Sequence, residues 1–370
     1  MSNVSSSADG WLSRLEPVSI PPTQPSPTRG EGFSSPSPAG LPAHTQRGEG
    51  WAGGGRPDDP RLGEYVEFWR DNPPTLRPNR PVLVGFPQDE GVRRNHGRPG
   101  AAAAPGAIRP WLYRLTPWDG SNGADLAALD LLDLSDIRIE GGLEASQEAL
   151  AEVIAALLTA GCVPIVLGGG HETAYGHYLG YVRAGREVAI LNLDAHLDVR
   201  PCLEGQGHSG SPFRQALEHP QRPLPGNRYA CLGAQPFAVG REHCRYVRDK
   251  GGVIRWASEL RDQAGRIFLR ECERLAGGGC PIYVTLDSDV VRQADVPGVS
   301  APNPLGLSGS EVAACAALAG QCPSVASFDL VEINPSFDRD NQSARWAAVT
   351  IWSFLSGLAR RSHQQTECPT

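Results

Sequence analysis

Short apolar runs alternate with amphipathic stretches from Val82 to the C-terminal region of the chain. Runs of β-branched and aliphatic residues predict strands, because such side chains suit the pleated and buried surface of a sheet. The predicted strands cover residues 82–86, 129–134, 163–167, 187–193, 281–286 and 324–333.

The clearest helix pattern covers residues 143–161, where Gly161 is a stop signal. Its apolar residues recur at helical spacing and fall on one face. The strands, in contrast, are almost continuously apolar, which is typical of strands covered on both faces. The pattern therefore predicts an α/β fold, a three-layer α/β/α domain built around a mostly parallel sheet.

The N-terminal segment, residues 1 to about 60, is rich in Pro, Ser and Gly. Such a composition buries too little apolar surface to offset the entropy lost on ordering, so we expect this segment to be disordered. A single catalytic domain is predicted over residues 75–362.

Composition narrows the classes of function. The chain of 370 residues has a formal net charge of -7 without a long run of like charges, which favours neither nucleic acid nor an anionic membrane as a partner. Nine cysteines without a C-x-x-C pair indicate free thiols in a reducing cytoplasm. The most apolar segment, residues 151–170, is interrupted by Gly161 and Pro164, so we expect a cytoplasmic protein that does not span a membrane.

Metal-capable side chains follow several of the predicted strands, at the point where each strand ends. In an open parallel sheet the carboxyl ends of the strands meet at one edge, where ligands bind. One such cluster alone would most often be an exposed turn, since Asp is a preferred turn residue. Four strands that deliver such residues to one edge favour a binding site instead. The residues are His171, Asp194, His196, Asp198, Asp287, Asp289, Asp329 and Glu332.

Six of these side chains form a ligand set of four carboxylates and two imidazoles. The set exceeds what one tetrahedral ion uses, and the absence of thiolates suits hard or borderline divalent cations. Two Mn²⁺ ions that share bridging aspartates would satisfy it. Paired ions can lower the pKa of a water between them, so the predicted chemistry is metal-assisted hydrolysis.

The sequence predicts other roles for several neighbouring residues. Residues 168–170, all glycine, allow a sharp turn that brings His171 to the site, and no phosphate-loop pattern accompanies them. His177 is predicted to be a core or surface histidine rather than a ligand. A cation among the ligands would compete with the metals, so Arg200 is predicted to point away from them.

The motifs GGGHE, DAHLD, TLDSDVV and DLVEINP, in this order, resemble the four signature blocks of the ureohydrolase family, which includes arginase, agmatinase and formimidoylglutamase. The resemblance extends from about Val82 to Leu358. It implies an arginase/deacetylase-like fold, a homo-oligomer and two Mn²⁺ per subunit. By this resemblance one ion is bound by His171, Asp194, Asp198 and Asp287, and the other by Asp194, His196, Asp287 and Asp289.

Within that family the chain looks most like formimidoylglutamase, on the segments 85–109, 168–177, 208–217 and 287–307. The implied reaction is hydrolysis of the C–N bond of N-formimidoyl-L-glutamate to L-glutamate and formamide in histidine degradation. Glu332 would pair with the cationic amidine. Bidentate hydrogen bonds to the carboxylates would come from Arg93, Arg94, Arg98 and Arg214, of which we prefer Arg94 and Arg214. Each arginine is as often a surface salt bridge, and Glu332 is alternatively a turn residue.

The chain departs from the arginase pattern at Ser209-Gly210, where arginases and many agmatinases have His-Gly. The change favours formimidoylglutamase, and it makes Ser209 a candidate substrate-binding residue. Asp198 is then expected to protonate the departing amine. His208 either assists this step or is an ordinary loop histidine.

Two alternatives stay open. In the first, the substrate is a guanidino compound such as agmatine, guanidinobutyrate or arginine, and urea is released. In the second, the chain is a catalytically silent homologue that binds metal for structure or interaction.

Overall fold

The computed structural model of the protein describes residues 10–17, 58–70 and 72–366. Within these residues the strands, in chain order, are β1 Leu15–Glu16, β2 Glu67–Phe68, β3 Pro81–Gly85, β4 Trp118–Asp119, β5 Ala124–Asp125, β6 Leu132–Ile137, β7 Val163–Leu167, β8 Ala189–Leu193, β9 Tyr229–Ala234, β10 Val253–Trp256, β11 Ile282–Asp287 and β12 Val325–Val331.

Ten of the strands found in the described residues form one sheet, in the order β1-β6-β3-β7-β12-β11-β8-β9-β10, with β2 pairing β6 beside this path. Every pairing in this sheet is parallel except that of β1 with β6. Strands β4 and β5 form a separate antiparallel pair.

Helices follow most of the strands. They are α1 Glu90–Arg94, α2 Ala104–Leu112, α3 Leu143–Thr159, α4 Thr173–Arg183, α5 Pro212–Leu217, α6 Arg241–Asp249, α7 Ala257–Leu260, α8 Ala264–Ala276, α9 Gly309–Gln321 and α10 Gln342–Thr366.

The helices cover both faces of the sheet. Successive strand residues point to opposite faces, so Leu83 belongs to one apolar core, while Val82 and Val84 belong to the other. Helices α2, α8, α9 and α10 contribute to the first core, and α3, α4, α5 and α6 to the second. The predicted three-layer α/β/α architecture with a mostly parallel sheet is confirmed.

The positions of the central strands agree with those predicted from the sequence, and the positions of strands near the margins of the sheet do not. Residues 163–167 form β7 as predicted. The run 129–134 is wrong at its start, because Asp125 caps a short 3-10 helix over Leu126–Leu129 and Asp130 is left-handed, so β6 begins at Leu132. Strands β9 and β10 were not predicted. Helix α3 ends at Thr159, and Gly161 follows with φ +75°, which agrees with its predicted stop.

The predicted disorder of residues 1 to about 60 is wrong for residues 10–17. Here a 3-10 helix, Gly10–Arg14, leads into β1, which pairs antiparallel with β6. The physical reason is an apolar anchor: Leu15 is buried, and Trp11 and Leu12 pack against the second core. The rest of that prediction, apart from residues 58–60, lies outside the described residues.

The eight cysteines in the described part of the chain are free thiols, as predicted; Cys368 lies outside it. Among the helices of the described residues, none has the length and apolar character that crossing a membrane requires.

Candidate metal centre

The predicted ligands follow three strands of the sheet at its carboxyl edge. His171 lies in the turn between β7 and α4, and Asp194, His196 and Asp198 directly follow β8. Asp287 is the last residue of β11, and Asp289 belongs to the 3-10 turn after it. Strand β11 pairs β8 on one side and β12 on the other, and β12 pairs β7, so the three strands open onto one edge.

The first group of ligands surrounds the His171 imidazole. Nδ1 of His171 lies 3.0 Å from Asp198 Oδ2, 3.0 Å from Asp287 Oδ2 and 3.3 Å from Asp194 Oδ2. The ligand atoms of these four residues all lie within 4.8 Å of one another. This is the first of the two predicted ligand sets.

The second group shares Asp194 with the first. Nδ1 of His196 lies 3.0 Å from Asp289 Oδ2 and 3.5 Å from Asp194 Oδ1. Asp194, His196 and Asp289 are thus close enough to hold a second ion. The sharing of Asp287 with this second group stays a prediction, because Asp287 clusters with the first group only.

The carboxylates of the site crowd one another. Burial, followed by the charges of Asp289 and Asp194, raises the pKa of Asp287 well above its ordinary value. Burial and the charge of Asp194 likewise raise the pKa of Asp198. Burial opposes ionisation of Asp194 too, but its hydrogen bonds with His171 and His196 lower its pKa overall. Like charges held together in a buried site are costly unless a cation compensates them.

The donor set fits divalent metal. Nδ1 of His171 is buried, and among the described residues it has no hydrogen-bond partner, although three carboxylates face it. A metal ion would satisfy both this nitrogen and the carboxylates. The other ring nitrogen, Nε2, lies 3.1 Å from Thr285 Oγ1, a contact that orients the ring. Thr285 was not predicted, although its position two residues before Asp287 places it on the same strand face.

The glycines before His171 allow neighbouring groups to approach the backbone closely. A Cβ on Gly169 would lie 1.8 Å from the backbone oxygen of Gln88, and one on Gly170 would lie 2.1 Å from Glu172 Oε2. Residues 168–170 do not have positive φ. Residues 168–170 therefore need to be glycine, because the segment before α1 packs directly on them.

Glu332 projects beside this loop with a left-handed backbone, φ +67°. Its Oε1 accepts a hydrogen bond from the backbone N–H of His171 at 2.9 Å, and its own N–H donates to Gly169 O at 2.8 Å. Its Oε2 is buried, and no residue in the described part of the chain forms a hydrogen bond with it. Burial, followed by the charges of Asp287 and Glu172, raises the pKa of Glu332 well above its ordinary value. Strained backbone and an unpaired buried carboxylate oxygen are features of functional sites.

The two arginines of α1 are paired within the protein. Arg93 is exposed, and its Nη2 lies 2.8 Å from Glu90 Oε2. Arg94 pairs with Glu144 at 2.5 Å and donates to the backbone oxygen of Gly207 at 3.0 Å. A hydrogen bond to Glu144 raises the pKa of Arg94.

The other two predicted arginines are held by carbonyls and rings. Arg98 donates to the backbone carbonyls of Val299 and Ser300, the second at 2.9 Å. Its guanidinium lies 4.1 Å from the centre of the Phe337 ring. Arg214 donates to a carbonyl in the loop after β8 and lies 4.0 Å from the centre of the Tyr246 ring.

His208 is buried beside Ser209, and both of its ring nitrogens meet backbone groups. Nε2 lies 3.0 Å from Pro201 O, and Nδ1 accepts from Gly210 N–H at 3.2 Å. Burial lowers the pKa of His208, and the charge of Arg200 lowers it further. These contacts favour the loop-histidine interpretation over a proton shuttle.

The remaining predictions concern His177, Arg200 and Asp329. His177 is buried, and its Nδ1 lies 3.1 Å from Asp329 Oδ2. Neither residue belongs to the two ligand groups. Arg200 is exposed, its Nη1 donates to Asn95 Oδ1 at 3.0 Å, and it forms no ion pair with any residue that the structure describes. Asn95 was not predicted from the sequence.

Comparison with known proteins agrees with this geometry. The profile of the arginase family matches residues 79–357. A formimidoylglutamase of Geobacillus thermodenitrificans is 38% identical over 292 residues, which cover 75% of this chain and 84% of that protein. A formimidoylglutamase of Chromobacterium violaceum is 34% identical over 308 residues, which cover 82% of this chain and 96% of that protein.

Solved structures show the same architecture. The crystal structure of Trypanosoma cruzi formiminoglutamase with Mn²⁺ has a TM-score of 0.72 and 36% identity, covering 76% of this chain and 94% of that one. The crystal structure of formimidoylglutamase from Bacillus subtilis has a TM-score of 0.76 and 25% identity, covering 85% and 96%. The matched region spans the whole metal centre, and the chain belongs to the arginase family.

Proposed function

We propose that this protein is a metal-dependent hydrolase that cleaves N-formimidoyl-L-glutamate to L-glutamate and formamide, with two Mn²⁺ ions per chain. The observation that carries the proposal is the pair of ligand groups joined at Asp194, with the unpartnered Oε2 of Glu332 close by. The curated formimidoylglutamases among the relatives, and the T. cruzi structure that contains Mn²⁺, support the substrate and the metal.

Bound together, two divalent ions would supply a water of lowered pKa and stabilise negative charge that develops during hydrolysis. The residues of the chain do the remaining work. Glu332 offers Oε2 to the cationic amidine, while Oε1 stays fixed on the His171 N–H. A buried carboxylate that meets a cationic ligand regains the compensation it lacks in the free protein.

Asp198 is the residue we assign to protonation of the departing amine. It lies at the edge of the first ligand group, and its side chain is 13% exposed, whereas Asp194 is fully buried. A carboxylate in this position can take up a proton and pass it to the departing amine. Both ring nitrogens of His208 are occupied by backbone groups, so we assign it a role in holding the loop of Ser209.

The wider proposal follows the family. We expect one catalytic domain over residues 75–362, supported by the profile match to residues 79–357. We also expect a homo-oligomer that acts in the cytoplasm in histidine degradation. The free thiols of the described residues suit a reducing compartment.

Product analysis tests the proposal. Manganese-loaded protein is incubated separately with N-formimidoyl-L-glutamate, agmatine, guanidinobutyrate and arginine, and the products are identified by NMR. Formamide and glutamate from the first substrate are expected. Ammonia with N-formylglutamate would mean a deiminase, and urea from a guanidino compound would mean the arginase-type alternative. No turnover of any of these substrates would favour a catalytically silent homologue.

A further inference from the structure

A substrate that carries two carboxylates needs a cation whose charge the protein has not already neutralised. An arginine already paired with Asp or Glu would have to give up that pair to bind the substrate. The cation that suits this role is therefore an arginine near the ligands that lacks an acidic partner among the described residues.

The four arginines expected from the sequence do not meet this condition well. Arg93 and Arg94 pair with glutamates at 2.8 and 2.5 Å. Arg98 is directed to two backbone carbonyls and Arg214 to one, and both lie over aromatic rings. Arg214 also has Glu218 at 4.0 Å.

Arg200 differs from all four. It lies two residues beyond Asp198, at the exposed end of the loop that supplies three of the ligands. Among the ion pairs formed by the residues that the structure describes, none includes Arg200, and its one side-chain partner is the neutral amide of Asn95. Its positive charge is therefore uncompensated.

The surroundings hold this arginine in place. Asn95 accepts from Arg200 Nη1 at 3.0 Å through Oδ1, and it donates from Nδ2 to Ser209 Oγ at 3.0 Å. The backbone N–H of Arg200 donates to Gly210 O at 2.8 Å. The amide of Asn95 thus fixes the guanidinium and the Ser209 hydroxyl relative to each other.

Gly210 shows how closely this group is packed. A Cβ at this position would lie 3.0 Å from Arg200 Cδ and 3.0 Å from Asn95 Nδ2. Any larger residue would push on both side chains. In the Ser209-Gly210 pair, Ser209 differs from the arginase pattern and Gly210 does not. Here Gly210 leaves room for Arg200 and its amide partner Asn95.

We propose that Arg200, oriented by Asn95, binds a carboxylate of the substrate and so selects an anionic amidine over a cationic guanidine. This inference rests on the proposed function and deepens it. The sequence predicts that Arg200 points away from the metals, and its guanidinium does turn toward Asn95. Asn95 in turn donates to Ser209, a predicted substrate-binding residue. A guanidinium offers two parallel N–H groups to a carboxylate, which gives both affinity and orientation.

The test compares wild type with Arg200→Ala on three amidines: N-formimidoyl-L-glutamate, its analogue without the α-carboxylate, and N-formimidoyl-L-norvaline, which lacks the side-chain carboxylate. A hydrogen-bonded contact to a charged group contributes about 1.5–3 kcal/mol, so KM for the full substrate should rise roughly ten- to hundredfold with little change in kcat. The substrate that lacks the contacted carboxylate should be almost insensitive to the variant. Arg245→Ala removes an exposed arginine of α6, 72% exposed, and serves as the matched control.

The activity of the wild type tests the proposed function, and the change in KM of Arg200→Ala tests the role of Arg200. Absence of wild-type turnover on every amidine would reject the proposed function. Normal wild-type turnover with an unchanged KM in Arg200→Ala, or with an equal loss on all three substrates, would reject the role of Arg200.

Asn95→Asp provides a second variant in which Arg200 is retained. The new carboxylate would pair with the guanidinium and compete with the substrate, so a rise in KM like that of Arg200→Ala is expected. A manganese-induced shift in Tm equal to that of wild type shows for either variant that the metal centre is intact. An unchanged KM in a folded Asn95→Asp protein would contradict the proposal.

Discussion

At the scale of single residues, the metal centre is defined by charges that the protein alone leaves uncompensated. Burial raises the pKa of three carboxyls, those of Asp287, Asp198 and Glu332. Neighbouring negative charges raise each of them further: Asp289 and Asp194 act on Asp287, Asp194 acts on Asp198, and Asp287 acts on Glu332. His171 Nδ1 has no hydrogen-bond partner in the midst of them. These residues are arranged for a bound cation rather than for the stability of the metal-free chain.

This crowding predicts an unusual pH dependence for metal-free protein. A carboxyl whose pKa is raised on folding loses its proton more readily in the unfolded state, so stability falls as pH rises from the unfolded pKa toward the folded one. The Tm of chelator-treated protein should therefore fall between pH 5 and pH 8, and Asp287→Asn should reduce the fall. Calorimetry at several pH values measures it. A Tm that rises over this interval in wild type, or an Asp287→Asn protein with the same slope, would contradict the account.

Glu332→Gln tests the amidine partner. The variant removes one charge, while a Gln oxygen can still accept from the His171 N–H. Removal of one partner of a buried ion pair costs about 3–5 kcal/mol, so kcat/KM should fall by roughly two to four orders of magnitude. Manganese binding, measured by calorimetric titration, should persist. Near-wild-type activity would show that Glu332 does not contact the amidine.

The sequence predicted which metal-capable side chains gather at one edge of the sheet, because each of them follows the end of a strand; that they bind metal stays a prediction. Asp194, His196 and Asp198 fall at alternate positions after β8, and the structure brings them to His171, Asp287 and Asp289. Hydrogen-bond partners distant in sequence were not predictable. Arg94 pairs with a residue 50 positions away, and Arg200 with one 105 positions away. Only the folded chain shows which arginine is already neutralised.

At the scale of elements, the packing of α9 against α10 depends on two glycines. A Cβ on Gly320 would lie 2.1 Å from Phe354 O, and one on Gly357 would lie 2.1 Å from Ala317 O. The two backbones approach closely at this crossing. Neither glycine has positive φ, so the requirement is for space and not for backbone conformation.

Gly357→Ala should therefore push the two helices apart and destabilise the protein by about 1–3 kcal/mol, which is typical of overpacking. Gly106→Ala in α2 is the matched control, because a Cβ there meets nothing within 4 Å. That control should be neutral or stabilising, since alanine favours a helix over glycine by about 1 kcal/mol. Urea denaturation measures both. Equal stability of the two variants would contradict the described crossing.

Elements were predictable where the apolar pattern was strong. Strand β7 and helix α3 lie at the centre of the fold and have continuous or clearly periodic apolar residues. The strands at the margins of the sheet were not predictable, because β1 is two residues long and β10 carries Arg255 between apolar neighbours. Such short segments form strands because a neighbouring strand offers unpaired backbone groups, which the local sequence does not record.

At the scale of the whole molecule, bound metal would link the three strands that carry the predicted ligands. An ion that binds only the folded state stabilises it by about 2.7 kcal/mol at a free concentration of about 100 times its Kd. Addition of Mn²⁺ to chelator-treated protein should thus raise Tm, and Asp194→Ala, which removes the residue common to both groups, should abolish most of the increase. An equal increase in the variant would show that the ions bind elsewhere.

Hydrolysis of an amidine at the two ligand groups, with metal bound, is the activity that we propose for this protein. The most direct measurement is the rate of formamide release from N-formimidoyl-L-glutamate as chelator-treated protein is titrated with Mn²⁺ at high protein concentration. We expect negligible release without metal and a rate that increases until two ions per chain are bound. A full rate without metal, or no formamide at any metal content, would contradict it.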